Sequence, residues 1–127
     1  MKKQALNTLY HSVYNIHYHL VLVTKYRHRC ITPEVAAYLE SQYKRLLKSW
    51  DCELLECNGE PDHLHLLISA NPKMQPSKMV NSLKTATSRL VRKEFSEHLG
   101  EFYWKPVFYS RSYCLVSCGG APLEIVK

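Results

Sequence analysis

From Val13 to Val23 the chain alternates, with Ile16, Tyr18, Leu20 and Leu22 on one side of an extended backbone and His17, His19, Val21 and Val23 on the other. Successive strand residues point to opposite faces, so the pattern predicts a long strand buried on at least one side. Such a strand belongs in a sheet.

The residues that follow supply the remaining elements. Lys25-Tyr26-Arg27-His28-Arg29 reads as a basic loop. Thr32-Pro33-Glu34 has the N-cap, proline and acid order of a helix start, for a helix running to about Trp50. Cys52 to Asn58 reads as a second strand, Asn58-Gly59 as a hairpin turn, and Asp62 to Ser69 as a third strand antiparallel to the second. Asn71 to Gln75 is loop. Pro76 opens a second helix to about His98, with Met79, Val80, Leu83, Thr87, Leu90 and Val91 on its apolar side. A short strand near Ser112 to Ser117 and a helix start at Pro122 complete the order. Strand, helix, strand, strand, helix, strand predicts an α+β fold: a ferredoxin-like, RRM-like antiparallel sheet with flanking helices.

With 127 residues, 46% of them hydrophobic, one domain over 1–127 is expected. No apolar run approaches the roughly 18 residues of a membrane-spanning helix, and Met1-Lys2-Lys3-Gln4 leads into no secretory core, so the expectation is a cytoplasmic protein. Five cysteines, odd in number and without C-x-x-C spacing, argue against a disulfide framework or zinc ribbon and predict reduced core or strand residues. Seventeen Lys and Arg against eleven Asp and Glu give a net charge of +6, which makes a polyanionic partner plausible.

The stretch Glu60-Pro61-Asp62-His63-Leu64-His65 carries the most chemistry. On a strand, His63 and His65 project side by side while Leu64, Leu66 and Ile68 face the core, a geometry that suits two ligands on one cation. An H-x-H pair more often simply covers a half-exposed sheet, and His17 and His19 are read that way. Around the pair, Lys25, Tyr26, Arg27 and Arg29 mix cations with a ring, the combination expected where phosphates are neutralised and an unpaired base stacks. Lys78, Arg89, Arg92 and Lys93 share the outer side of the second helix, within an arc of roughly 100°. With Lys84 and Arg111 they complete the candidate DNA contacts. Trp104 and Phe108, with Lys105 nearby, suit either base stacking or the core.

Three blocks, "VTKYRHR" at 23–29, "EPDHLHLL" at 60–67 and "SRSYCLVSCGG" at 110–120, together resemble the single-tyrosine HUH transposases of small hairpin-ended insertion sequences, the IS200-like family. The resemblance covers essentially the whole chain. It implies an enzyme that binds hairpins in single-stranded DNA and cleaves and rejoins strands through a 5′-phosphotyrosine intermediate, working as a homodimer. It also implies that His63 and His65 hold a divalent metal, Mg²⁺ or Mn²⁺. In that family the tyrosine and a metal-binding glutamine follow the last block, which here places the nucleophile about two residues past Lys127 and leaves no catalytic tyrosine within the chain. The chain as given is therefore expected to be cut within its tyrosine-bearing helix and inactive by itself. Tyr38-Leu39-Glu40-Ser41-Gln42 imitates the Y-x-x-x-Q pattern in the wrong element, and Tyr109 and Tyr113 are expected to pack or stack.

Two other readings remain open on sequence. One is a catalytically inactive, truncated or domesticated protein that keeps hairpin-DNA recognition. The other is a ferredoxin-like RNA-binding domain, disfavoured because the aromatic-glycine signature of such domains is absent.

Overall fold

In the computed structural model, which describes residues 7–9 and 12–118, the chain enters through a two-stranded antiparallel ribbon, β1 (Asn7–Leu9) and β2 (Ser12–Tyr14). Then follow β3 (Ile16–Thr24), α1 (Pro33–Lys48), β4 (Glu53–Glu60), β5 (His63–Ala70), α2 (Pro76–Glu94), the single turn α3 (Ser96–Leu99) and β6 (Tyr109–Ser117). The last four strands form one sheet in the order β4-β5-β3-β6, antiparallel throughout. That is the expected ferredoxin-like arrangement. Among the described residues, no helix is long and apolar enough to cross a membrane.

The helices form where local chemistry favours them. Thr32 caps α1, its side-chain oxygen accepting from Val35 N at 3.1 Å, with Pro33 at the first helical position. Val35, Leu39, Tyr43 and Leu47 recur at four-residue spacing and are fully buried. In α2, Met79, Val80, Leu83, Thr87 and Val91 are buried in turn, so both helices lie against the face of the sheet that carries Leu20, Leu22, Leu64, Leu66 and Ile68. Three hydroxyls cross this core: Tyr109 meets Tyr43 at 2.6 Å and Thr87 at 2.6 Å, and Thr87 donates to Leu83 O. Burial pushes the Tyr109 hydroxyl up to about 12, so it stays protonated and bonded.

Four boundaries differ from the sequence reading. The alternation that begins at Val13 is divided: Ser12–Tyr14 pairs with β1, and only from Ile16 does the chain join the main sheet. The hairpin turn is Pro61-Asp62 rather than Asn58-Gly59, because β4 continues to Glu60 and pairs Gly59 with Leu64. Gly59 is there for close approach: an added Cβ would press into the His63 carbonyl and stand 2.8 Å from Leu64 Cα. The second helix stops at Glu94, since Phe95 (φ −119°, ψ 41°) leaves helical geometry to pack edge-on against Tyr38, and Leu99 then turns into the core. The final strand begins at Tyr109, earlier than Ser112. The helix start at Pro122 lies outside the described residues.

The cysteines are free thiols. Cys30 and Cys52 are buried and Cys57 half-buried, and desolvation raises all three, Cys52 and Cys57 to about 11. Cys114 is exposed.

Candidate metal centre and nucleic-acid interface

Strict alternation along β5 puts Leu64, Leu66 and Ile68 under the helices and His63 and His65 on the opposite face. Their rings lie 5.1 Å apart at 76°. Each ring is held through Nδ1. His63 Nδ1 donates to Asp62 Oδ1 at 2.8 Å, and Asp62 Oδ2 accepts from Arg27 Nε at 3.2 Å and Nη2 at 3.0 Å. His65 Nδ1 lies 3.3 Å from His19 Nε2, with the two rings 5.2 Å apart. His19 comes from β3, diagonally across from His65, whose direct register partner is Val21.

This fixes what the pair can do. With Nδ1 engaged on both rings, the two Nε2 atoms remain as the donors, and a carboxylate behind a ligating imidazole sets its orientation and raises its basicity. Desolvation first, then the charges of His63 and His19, lower His65, which favours the neutral imidazole that a metal requires. The hydrogen bond from His63, followed by that from Arg27, holds the Asp62 carboxyl below the usual carboxylate range. Among the described residues no group of three or more His, Cys, Asp and Glu has metal-site geometry. The donor set therefore fits a cation that keeps several ligands from water, phosphate or residues outside those described.

The basic loop expected at Lys25 to Arg29 stands beside this pair, joined to it by Arg27 and Asp62. Tyr26 (φ 60°) and Arg27 (φ 55°) are both left-handed, a conformation that costs non-glycine residues roughly 1–3 kcal/mol each and persists only where the surroundings impose it. They do so here. Lys25 N donates to Phe108 O, Tyr103 Oη to Lys25 O, Thr24 N to Asp62 O, and Thr24 Oγ1 to His28 O. Tyr26 and Arg29 are exposed, and Lys25 Nζ sits 5.4 Å from the Tyr26 ring.

The other candidates separate. Lys78, Arg89 and Lys93 are exposed on the outer side of α2, with Arg92 half-buried and bonded through Nε to Ser88 Oγ at 3.2 Å. Because α2 covers the sheet face opposite His63 and His65, this arc does not meet the pair within one chain. Lys84 donates to Ser110 O at 2.8 Å and Arg111 O at 3.1 Å, tying α2 to β6, while the Arg111 side chain is exposed. Phe108 is core at 1% exposure and Trp104 stands in solvent at 94%. Tyr38, Tyr109 and Tyr113 all belong to the helical side: Tyr38 packs on Phe95, Tyr109 bonds Tyr43, and Tyr113 pairs in register with core Leu22. The partner of His65 escaped the sequence reading, because His19 on its own strand looks like any polar residue of a half-exposed face. Only the β3–β5 register reveals it.

Residues 12–127 match the family described as transposase IS200 like. The chain belongs to the IS200-like transposase family. Within the family, the ISDra2 transposase TnpA of Deinococcus radiodurans is 32% identical over 105 residues, spanning 83% of this chain and 74% of the relative. The transposase for insertion sequence element IS200 of Salmonella typhimurium is 29% identical over 112 residues, spanning 88% and 73%. A crystal structure of a transposase from Deinococcus radiodurans superposes with a TM-score of 0.79 at 30% identity, over 94% of this chain and 92% of that one. A REP-associated tyrosine transposase bound to a REP hairpin shares the fold more distantly, with a TM-score of 0.50 at 13% identity over 87% of this chain and 62% of the other.

Proposed function

We propose that this IS200-like chain binds hairpins in single-stranded DNA and cleaves and rejoins the strand beside them, with His63 and His65 as ligands of a divalent ion, Mg²⁺ or Mn²⁺. The observation that carries the reading is the oriented pair itself. Two imidazoles with their Nδ1 atoms engaged, leaving Nε2 as donors, stand on the sheet face opposite α1 and α2, next to a basic turn. When bound, such an ion supplies Lewis-acid and template action on a phosphodiester. The chain's own residues do the rest: Asp62 orients His63, His19 orients His65, and Lys25 and Arg29 neutralise backbone phosphates that flank the one being cut.

Covalent attack by a tyrosine hydroxyl conserves the phosphodiester for resealing, because the displaced 3′-hydroxyl can later attack the phosphotyrosine and return the tyrosine as leaving group. Tyr38, Tyr109 and Tyr113 lie on the far side of the sheet from the pair, and by the family pattern we assign the attacking hydroxyl to a tyrosine about two residues past Lys127. Action as a homodimer is part of the same reading. It also accommodates the α2 arc, since two chains together present the His pair of one and the basic helix of the other to a single DNA.

The test uses three DNAs: a hairpin with a single-stranded flank, a plain single strand and a blunt duplex. Tightest binding to the first supports the reading, and equal affinity for all three removes it. An SDS-stable adduct mapped to Tyr38, Tyr109 or Tyr113 overturns the assignment of the nucleophile. The 127-residue chain alone is expected to form no adduct. Hairpin preference without an adduct in Mn²⁺ from a chain extended through the tyrosine expected past Lys127 favours the second reading, a hairpin-binding protein without chemistry.

A further inference from the structure

A cavity of about 560 Å³ opens between the Lys25–Arg27 turn and the segment before β6, walled by Tyr26, His28, Phe102 and Trp104, with Lys105 and Glu101 also lining it. We propose that this cavity is a pocket for one unpaired nucleobase of the DNA single strand that flanks the hairpin. The proposal deepens the function proposed above and rests on it.

The walls are aromatic and preset. His28 is fixed at its position by rings on both sides, 5.8 Å from Tyr26 at 72°, 5.8 Å from Phe102 and 5.2 Å from Tyr103. Tyr26 is 60% exposed and Trp104 94% exposed. One exposed aromatic side chain means little on its own. Here two exposed rings share a cavity with two partly covered ones, and the backbone of Tyr26 is held in a strained left-handed conformation that presents its ring there.

The charges say which part of a nucleotide enters. Lys105 Nζ lies 5.8 Å and Lys25 Nζ 5.4 Å from the Tyr26 ring centre, and the Tyr26 hydroxyl is lowered first by its hydrogen bond with Lys105. Two cations at one ring suit the phosphates on either side of a stacked nucleotide. Glu101 repels a phosphate from the interior and offers an acceptor to the donor edge of a base. A base inside with its phosphates on Lys25 and Lys105 satisfies both signs of charge.

Position gives the pocket its use. Arg27, adjacent to Tyr26, is bonded to Asp62, which is bonded to His63. A base seated on Tyr26 is therefore registered by a rigid turn to the proposed metal ligands, and the pocket sets which phosphate of the flank reaches them.

The experiment uses a hairpin oligonucleotide with a single-stranded flank, 2-aminopurine placed at successive flank positions, and the same hairpin without a flank. The wild-type protein should change 2-aminopurine fluorescence sharply at one position. Trp104→Ala should abolish that change and weaken binding of the flanked hairpin roughly 5- to 100-fold, the value of one stacked base, with the blunt hairpin unaffected. Trp104→Phe should restore most of the loss, and Lys105→Gln should weaken the same DNA alone. Equal affinity of wild type, W104A and K105Q for the flanked hairpin would overturn the pocket, as would losses equal on both DNAs. Wild-type protein that shows no preference for hairpin DNA sinks the proposed function, whereas wild-type hairpin preference with flanked-hairpin affinity unchanged in W104A sinks the pocket alone.

Discussion

At the residue scale, the pair His63 and His65 is legible from the spacing alone, but the groups that orient the pair are not. Asp62 precedes His63 in sequence, yet its bond to Arg27 spans 35 positions and depends on the left-handed turn at Tyr26-Arg27. His19 is a neighbour of His65 only through strand register. Trp104 and Phe108 look alike in sequence and end at opposite extremes of exposure, because the turn before β6 sends Phe108 into the core and leaves Trp104 outside. Asp62→Ala removes the acceptor at His63 Nδ1 while leaving both imidazoles. It is expected to lower Mn²⁺ affinity by about 10- to 100-fold, the usual effect of removing a ligand's outer partner, with little change in unfolding temperature. Titration calorimetry measures the affinity, and ¹⁵N resonances of His63 report whether its Nδ1–H tautomer is released.

At the element scale, the helix starts and the order of elements follow from the sequence, because Thr32-Pro33 and the prolines and apolar periodicities act locally. The misplaced turn has a tertiary cause. Asn58-Gly59 has the composition of a tight turn, but the strand passes through it, and glycine is needed for the approach of the His63 carbonyl. The helix from Pro76 keeps its periodicity to His98, yet Phe95 leaves helical geometry and packs edge-on against Tyr38. Gly59→Ala tests the close approach. It is expected to cost about 1–3 kcal/mol of stability in denaturant unfolding, the range for forcing an extra methyl into filled space, and to weaken metal binding because the strain falls on the backbone of His63. A fully stable Gly59→Ala protein would show that the hairpin has room there.

At the scale of the whole molecule, the sheet divides the surfaces. One face holds the core and α1 and α2, and the other holds the histidines, so two basic features that look equivalent in sequence serve different sides. Charge counts and helical arcs carry no information about which face of a sheet a helix covers. Lys78→Gln, Arg89→Gln and Lys93→Gln combined should reduce the slope of log affinity against log salt for hairpin DNA by roughly 0.7–0.9 per cation lost, while Mn²⁺ affinity stays unchanged. A parallel loss of Mn²⁺ binding would mean that the α2 surface and the histidine face are coupled. The oriented histidine pair, on the sheet face opposite α1 and α2, is the proposed metal site. Mn²⁺ binding followed by electron paramagnetic resonance, on the wild-type chain and on the His63→Ala, His65→Ala double variant, tests it most directly. The expected result is bound Mn²⁺ in the wild type and none in a double variant that remains folded and still binds hairpin DNA. Unchanged Mn²⁺ affinity in the double variant would contradict the account.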